Sequence, residues 1–389
     1  MKQLLRLPVR LDAPHELILV RLLITLGAAS IVATSSLYLK SLGLSDGAIG
    51  ISTGIVMAIN LVFALFMPLF LQRFNLTKIL VTTTIGFSVT LALFGSVSRA
   101  IYALLFYVIA RLLLTLFFSA YSILLHDDSP TSNEFKKNQA MSGSMINFSW
   151  MIMPFFATLV IGEYSFMVLY LCAAIINLLA AVVLILESVP VKPKGTTTKL
   201  NILKNIAHYF SNKRLRDVYI IGAGVDMWWA FIFVFVTLFL SENGYSTASI
   251  GIYLTLSQLP LFLFEFKTHL LVKEFRYRAP FVNSFSFMAF AMLIAAIFGL
   301  NIFTLGLFTF TSLFLVFLEP AREMYLYEKM RPDEEERMQP VFATAELVGS
   351  IVTRLAIGFI LIWLNPTMAF IAMSFGFAAI ARHSLSIKN

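Results

Sequence analysis

The chain repeats itself. Residues 37–51, LYLKSLGLSDGAIGI, return 201 positions later as residues 238–252, LFLSENGYSTASIGI, with no gap between the copies. Seven of fifteen positions match: Leu37/Leu238, Leu39/Leu240, Gly43/Gly244, Ser45/Ser246, Ile49/Ile250, Gly50/Gly251 and Ile51/Ile252. Each copy closes a long apolar run, turns through Gly and Ser, and opens the next run. The register survives to the following loop, where Arg73-Phe74-Asn75 meets Glu274-Phe275-Arg276. A period near half the chain means duplication, so the expected architecture is two homologous bundles.

The bundles belong in a bilayer. Hydrophobic residues make up 59% of the 389 and charged ones 13%, whereas a soluble chain carries about a quarter charged residues. A hydrocarbon core about 30 Å thick needs roughly 20 apolar residues per helical span. Twelve such runs are present, near 16–39, 48–71, 79–97, 101–125, 138–161, 165–186, 217–240, 248–271, 281–299, 302–324, 339–362 and 366–382. They are continuous runs of helix length, not the ten-residue alternating segments of a barrel. The fold class is therefore an all-α polytopic membrane protein with two pseudo-symmetric six-helix bundles. They divide as residues 1–187 and 217–389, with 188–216 as a linker.

The net charge of +8 could suggest nucleic acid, but its placement argues otherwise. With alternating loops, 24 of the 29 Lys and Arg fall on one side. The other side holds only Lys40 and Arg99, and Arg21, Arg111 and Arg354 lie within spans. Basic loops mark the cytoplasmic side, which puts both termini there, in a multi-pass protein of the cytoplasmic membrane. A missed or extra helix would scramble the bias. The first run carries Arg21 and is too long for a signal-peptide core. Cys172, the single cysteine, forms no internal disulfide. The sequon Asn75-Leu76-Thr77 falls on the cytoplasmic side and is discarded.

Within the linker, residues 189–198 read as flexible chain. Leu200, Leu203, Ile206 and Phe210 then share one face among lysines, an amphipathic helix for the inner leaflet. Thr131 and Glu134 have capping-box spacing for the fifth span. His126-Asp127-Asp128 reads as a solvated turn, and no metal or other cofactor is expected.

A charge at the bilayer centre costs about 2.5–3.5 kcal/mol on insertion scales, so it must face protein or water. Seven charges are embedded: Arg21, Arg111, Asp226, Glu265, Glu319, Glu346 and Arg354. Spans 3, 6, 9 and 12 have none. In a six-helix repeat, every third helix is then a lipid-facing support, and the others enclose something polar.

Two six-helix halves, cytoplasmic termini, a basic central loop and charges sparing every third helix resemble the major facilitator superfamily. That family's loop after the second helix reads Gly-x-x-x-Asp-Arg-x-Gly-Arg-Arg. Here Arg73 fits, while Gln72, Asn75 and Leu76-Thr77 depart, leaving Lys78. Arg111 matches an arginine common in the fourth helix, and the Gly-Pro signature of many antiporters is absent from the fifth. The resemblance implies alternating access, two halves rocking about a midplane site. Asp226 and Glu346 are then candidate proton carriers, since a carboxyl can load or release a proton as its solvation and its distance from an arginine change. Arg111 and Arg354 are the expected counter-charges. For each of these the competing reading is a static ion pair that holds helices together.

Arg21, Asn60, Thr115, Asn147, Trp150, Trp229, Gln258 and Glu319 are candidate cavity residues, offering hydrogen bonds and aromatic walls. Arg73, Lys78 and Glu265 are candidates for a cytoplasmic gate. The expected function is secondary transport of a small organic solute, proton-coupled, by a monomer. Mixed charges and aromatics fit export of an amphipathic compound better than import of a strongly anionic nutrient. An integral-membrane enzyme would carry an HExxH, P-loop or Gly-x-Ser-x-Gly motif, none of which occurs. A transporter-like receptor or scaffold without flux is the remaining class.

Overall fold

The computed structural model describes residues 13–129, 131–186, 202–272, 277–331 and 334–387. All of its regular elements among those residues are helical. The first half is α1 (Ala13–Ser41), α2 (Asp46–Arg73), α3 (Leu76–Ser96), α4 (Ala100–Asp127), α5 (Ser132–Glu163) and α6 (Phe166–Leu186). A short helix α7 (Ile202–Ser211) precedes the second half. That half opens with one long span built from α8 (Lys213–Ala230), a π-helical turn (Phe231–Val236) and α9 (Thr237–Glu242). It continues with α10 (Thr247–Val272), α11 (Arg278–Phe298), α12 (Ile302–Lys329), α13 (Glu335–Trp363) and α14 (Pro366–Ser384). Eleven of these segments are long and apolar enough to cross a membrane. α14 is not among them on its own composition, yet it packs along α11 as α6 packs along α3.

Polar side chains start the helices where the sequence turns. Asn75 accepts from the Lys78 N–H at 3.2 Å, Thr131 from that of Glu134 at 3.2 Å, and Asn365 from that of Met368 at 3.2 Å. Each satisfies one of the donors a helix leaves open at its start. Asn301 and Thr304 form a reciprocal capping box on α12.

The duplicated stretch has the same geometry twice. Gly43 and Gly244 both adopt positive φ, +91° and +78°, which a side chain disfavours. Gly43 N–H donates to the Lys40 carbonyl at 2.9 Å and Gly244 N–H to that of Ser241 at 3.2 Å. Leu44 reaches back to Leu39, and Tyr245 to Leu240, by the same bond. Packing repeats too: α3 lies along α4 and α6, and α11 along α12 and α14.

Between the halves, α2 packs along α13 and α10 along α5, so the second helix of each half meets the fifth of the other. The repeated glycines sit on these seams. A methyl on Gly50 would come within 2.6 Å of the Gly358 Cα and 2.9 Å of the Arg354 carbonyl, and one on Gly251 within 2.9 Å of the Pro154 carbonyl. Polar links between the halves cluster at the same end, opposite the face from which α1 starts. Ser36 lies 3.1 Å from its repeat partner Thr237 and donates to the Phe233 carbonyl at 3.4 Å. Lys40 bridges Asp46 at 3.0 Å and Glu242 at 2.9 Å.

Several expectations are adjusted. The linker helix is Ile202–Ser211, with residues 189–198 and Leu200 outside the described residues. It docks through His208, 3.0 Å from Glu334, and through the fully buried Tyr209. The tenth span was expected to end near 324, but α12 runs to Lys329. Pro320 lies inside this helix, and Arg322, counted by sequence with the basic cytoplasmic loops, is buried within the bundle. The π turn was not foreseen; it has no apolar-pattern signature.

Candidate functional site

Three carboxylates converge in the second half. Asp226 on α8, Glu319 on α12 and Glu346 on α13 act electrostatically on one another, and Arg322 is the principal cation among them. Arg322 Nη1 lies 4.0 Å from Asp226 Oδ2, and Nη2 3.4 Å from Glu323 Oε1. The Trp229 indole N–H donates to Glu319 Oε1 at 3.1 Å. Glu346 is exposed, and its charge reaches Arg21 on α1 as well as Asp226 on α8. Its charge is thus felt by residues of both halves.

The expected pairing of carboxylates with Arg111 and Arg354 is thus corrected. Asp226 has Arg322 as its nearest cation, three residues beyond Glu319 on α12. Arg111 acts on Asp226 only as a more distant charge. Arg354 faces Tyr107 and Arg111 instead. Its Nε donates to Ser350 Oγ on its own helix at 3.0 Å, and Tyr107 is its other polar neighbour. Arg111 Nε is buried and unpartnered. Tyr107, fully buried, interacts with both arginines and with Ser35.

The other candidates separate into contacts and surroundings. The Arg21 guanidinium lies 3.8 Å from the Phe118 ring centroid and 5.0 Å from that of Tyr121. Thr115 donates to Asn60 Oδ1 at 2.9 Å, so these two satisfy each other on α4 and α2. Trp150 packs against Phe233 of the π turn at 5.7 Å between centroids, and Trp229 against the same ring at 5.9 Å. Asn147 is half-buried on α5, and Gln258 is buried on α10. Arg73, the last residue of α2, and Lys78, in the first turn of α3, are exposed, with no ion pair among the described residues. The Glu265 side chain lies outside the described residues. Sequence reasoning missed Arg322, Glu323 and Tyr107. The i, i+3, i+4 spacing of Glu319, Arg322 and Glu323 is the available signal.

An apolar groove of about 400 Å³ between α2 and α4, lined by Ile55, Ile59, Leu105 and Val108, holds none of these charges.

A helical protein with this many spans, two repeated bundles and charges buried among its helices is a multi-pass integral membrane protein of the secondary-carrier type. The sequence profile of the Major Facilitator Superfamily matches residues 17–264, and the chain belongs to that family. No curated protein matches it in sequence. Among solved structures, the chain is similar to a POT family transporter in complex with a thioalcohol-conjugated peptide (TM-score 0.81, 10% identity, 95% of this chain and 94% of that one). It is similar to the nucleoside transporter NupG (0.75, 14%, 97% and 100%). It also matches a D-xylose–proton symporter (0.73, 14%, 96% and 96%). At these identities the likeness establishes the fold.

Proposed function

We propose that the protein moves a small organic solute across the cytoplasmic membrane by alternating access, coupled to protons through Asp226 and Glu346, in the direction of export. The moving bodies are residues 1–187 and 217–389, joined by the 188–216 linker, with both termini cytoplasmic. One observation carries the reading. Asp226, Glu319, Glu323 and Glu346 surround Arg322, an excess of acid that one guanidinium cannot balance inside a membrane. A proton, or the positive end of a solute, must meet that excess. Glu346 on the second half acts electrostatically on Arg21 of the first, so its charge state can bias their rocking. The similar carriers named for peptides, nucleosides and xylose support a small-molecule substrate.

Counterflow in proteoliposomes over a compound panel, with and without a pH gradient, tests this. The expected result is gradient-dependent flux that Asp226→Asn and Glu346→Gln uncouple. Flux unmoved by the gradient and by both substitutions removes proton coupling; binding without flux for any solute favours a receptor.

A further inference from the structure

We propose that the groove between α11 and α14 is a binding site for one anionic phospholipid, its acyl chain in the groove and its phosphate on Arg382. The lipid belongs to the leaflet at the face from which α1 starts. The two helices pack along each other. Ser374 Oγ donates to the Ala289 carbonyl at 2.8 Å and ties them together at one end of the groove. From there toward the surface they leave a space of about 330 Å³. It is lined by Val282, Ser286 and Ala289 on α11 and by Ala378, Arg382 and Leu385 at the end of α14. Alanine at 289 and 378 leaves room that a leucine would fill. Ala289 lies eleven residues along α11 from Arg278, about 16 Å at 1.5 Å per residue. That is about half of a hydrocarbon core about 30 Å thick, so the groove has the depth of a single leaflet.

The choice of occupant follows from the lining. Its apolar walls open outward, with Leu385 49% exposed and Ser286 and Ala378 also exposed, which suits a chain entering from the bilayer. Arg382 is exposed at the rim, and among the described residues it has no ion pair. A guanidinium fork complements a phosphate, which accepts two parallel N–H bonds from it. Basic pockets between spans on the cytoplasmic side hold anionic headgroups in this way, and the orientation proposed above puts this rim on that side. The helix end that carries Arg382 is itself fixed. His383, the next residue, lies 3.0 Å from the buried Asp217 at the start of α8. The α2–α4 groove opens at the opposite face and has no basic residue in its lining. It can take a chain but cannot select a headgroup.

The test uses the full chain, purified in detergent and stripped of lipid, at matched ionic strength. Phosphatidylglycerol and phosphatidylcholine with identical acyl chains, each bearing a diazirine in one chain, are photolysed on it, and the labelled peptides are read by mass spectrometry. Phosphatidylglycerol should label α11 and α14 at least fivefold more than phosphatidylcholine does, while the two lipids label the α2–α4 groove equally. Arg382→Gln should abolish the preference at α11 and α14, and Arg382→Lys, which keeps the charge and loses the fork, should retain part of it. Lys213→Gln removes another exposed cation of the same face and should leave the preference unchanged. Ala378→Leu, which fills the groove, should cut labelling by both lipids at least threefold. Arg382 is at the surface, so its variants remain readable if Ala378→Leu fails to fold. Equal labelling of α11 and α14 by the two lipids, a preference that survives Arg382→Gln, or displacement of phosphatidylglycerol by glycerol phosphate overturns the inference. None of these readouts requires solute flux, so the outcome is independent of the carrier reading.

Discussion

If the glycine seam exists only while the end opposite the α1 start is closed, Gly50→Ala should push the protein toward the alternative state. The added Cβ would stand 2.6 Å from the Gly358 Cα and 2.9 Å from the Arg354 carbonyl. Both are backbone atoms, so no side chain can swing aside. Overpacking of this kind costs about 1–3 kcal/mol. At about 1.4 kcal/mol per tenfold, that penalty in one state alone shifts the population roughly 5- to 150-fold. The assay is labelling of Ser36→Cys by a membrane-impermeant thiol reagent in a Cys172→Ala background, since Ser36 is 1% exposed at the closed end. Gly50→Ala should raise the labelling rate by that factor. Gly43→Ala is the control. Its φ of +91° is strained for alanine, but nothing lies within 4 Å of the added Cβ. The strain of about 1 kcal/mol or more falls on both states, lowering the melting temperature without changing the labelling rate. If Gly50→Ala lowers stability as Gly43→Ala does and labelling changes less than twofold, the seam is not state-specific and the reasoning fails.

Three smaller effects follow from the same structure. Lys40→Met removes a partly exposed bridge to Asp46 and Glu242. At about 0.5–1 kcal/mol for such pairs, Ser36→Cys labelling should rise two- to fivefold, and high salt should produce a similar rise in the protein that retains Lys40. Trp229→Phe takes the 3.1 Å donor from Glu319 and should destabilise the protein by about 1–2 kcal/mol in thermal unfolding. Glu319→Gln, which keeps an acceptor, should be milder. Burial first, and the adjacent Asp127 second, raise the pKa of Asp128 above the usual carboxylate range. The folded state then binds this proton more tightly than the unfolded chain, so the contribution is present at low pH and is lost as pH rises through the raised value. Asp128→Asn should therefore raise the melting temperature at pH 7, with the gain vanishing near pH 3.5.

The parts of the fold legible in sequence are those that depend on one stretch at a time. A 201-residue offset requires the same turn twice, and both glycines adopt positive φ. Apolar runs specify helices because the bilayer leaves backbone groups few other partners. Hydroxyl and amide residues at the turns specify where helices begin. Pairing between helices is different in kind. Whether Asp226 meets Arg111, Arg354 or Arg322 depends on the rotation and crossing of four helices, and a single sequence carries no record of that. The embedded charges could be counted but not paired. The pairing has a physical consequence that counting hides: acid gathers on the second half around Arg322, while Arg354 feels Tyr107 and Arg111 of the first half. A composition of three arginines and four carboxylates looks nearly neutral. Segregated along one cleft, the same charges make two poles, and a solute that touches both is read by its charge distribution as much as by its shape.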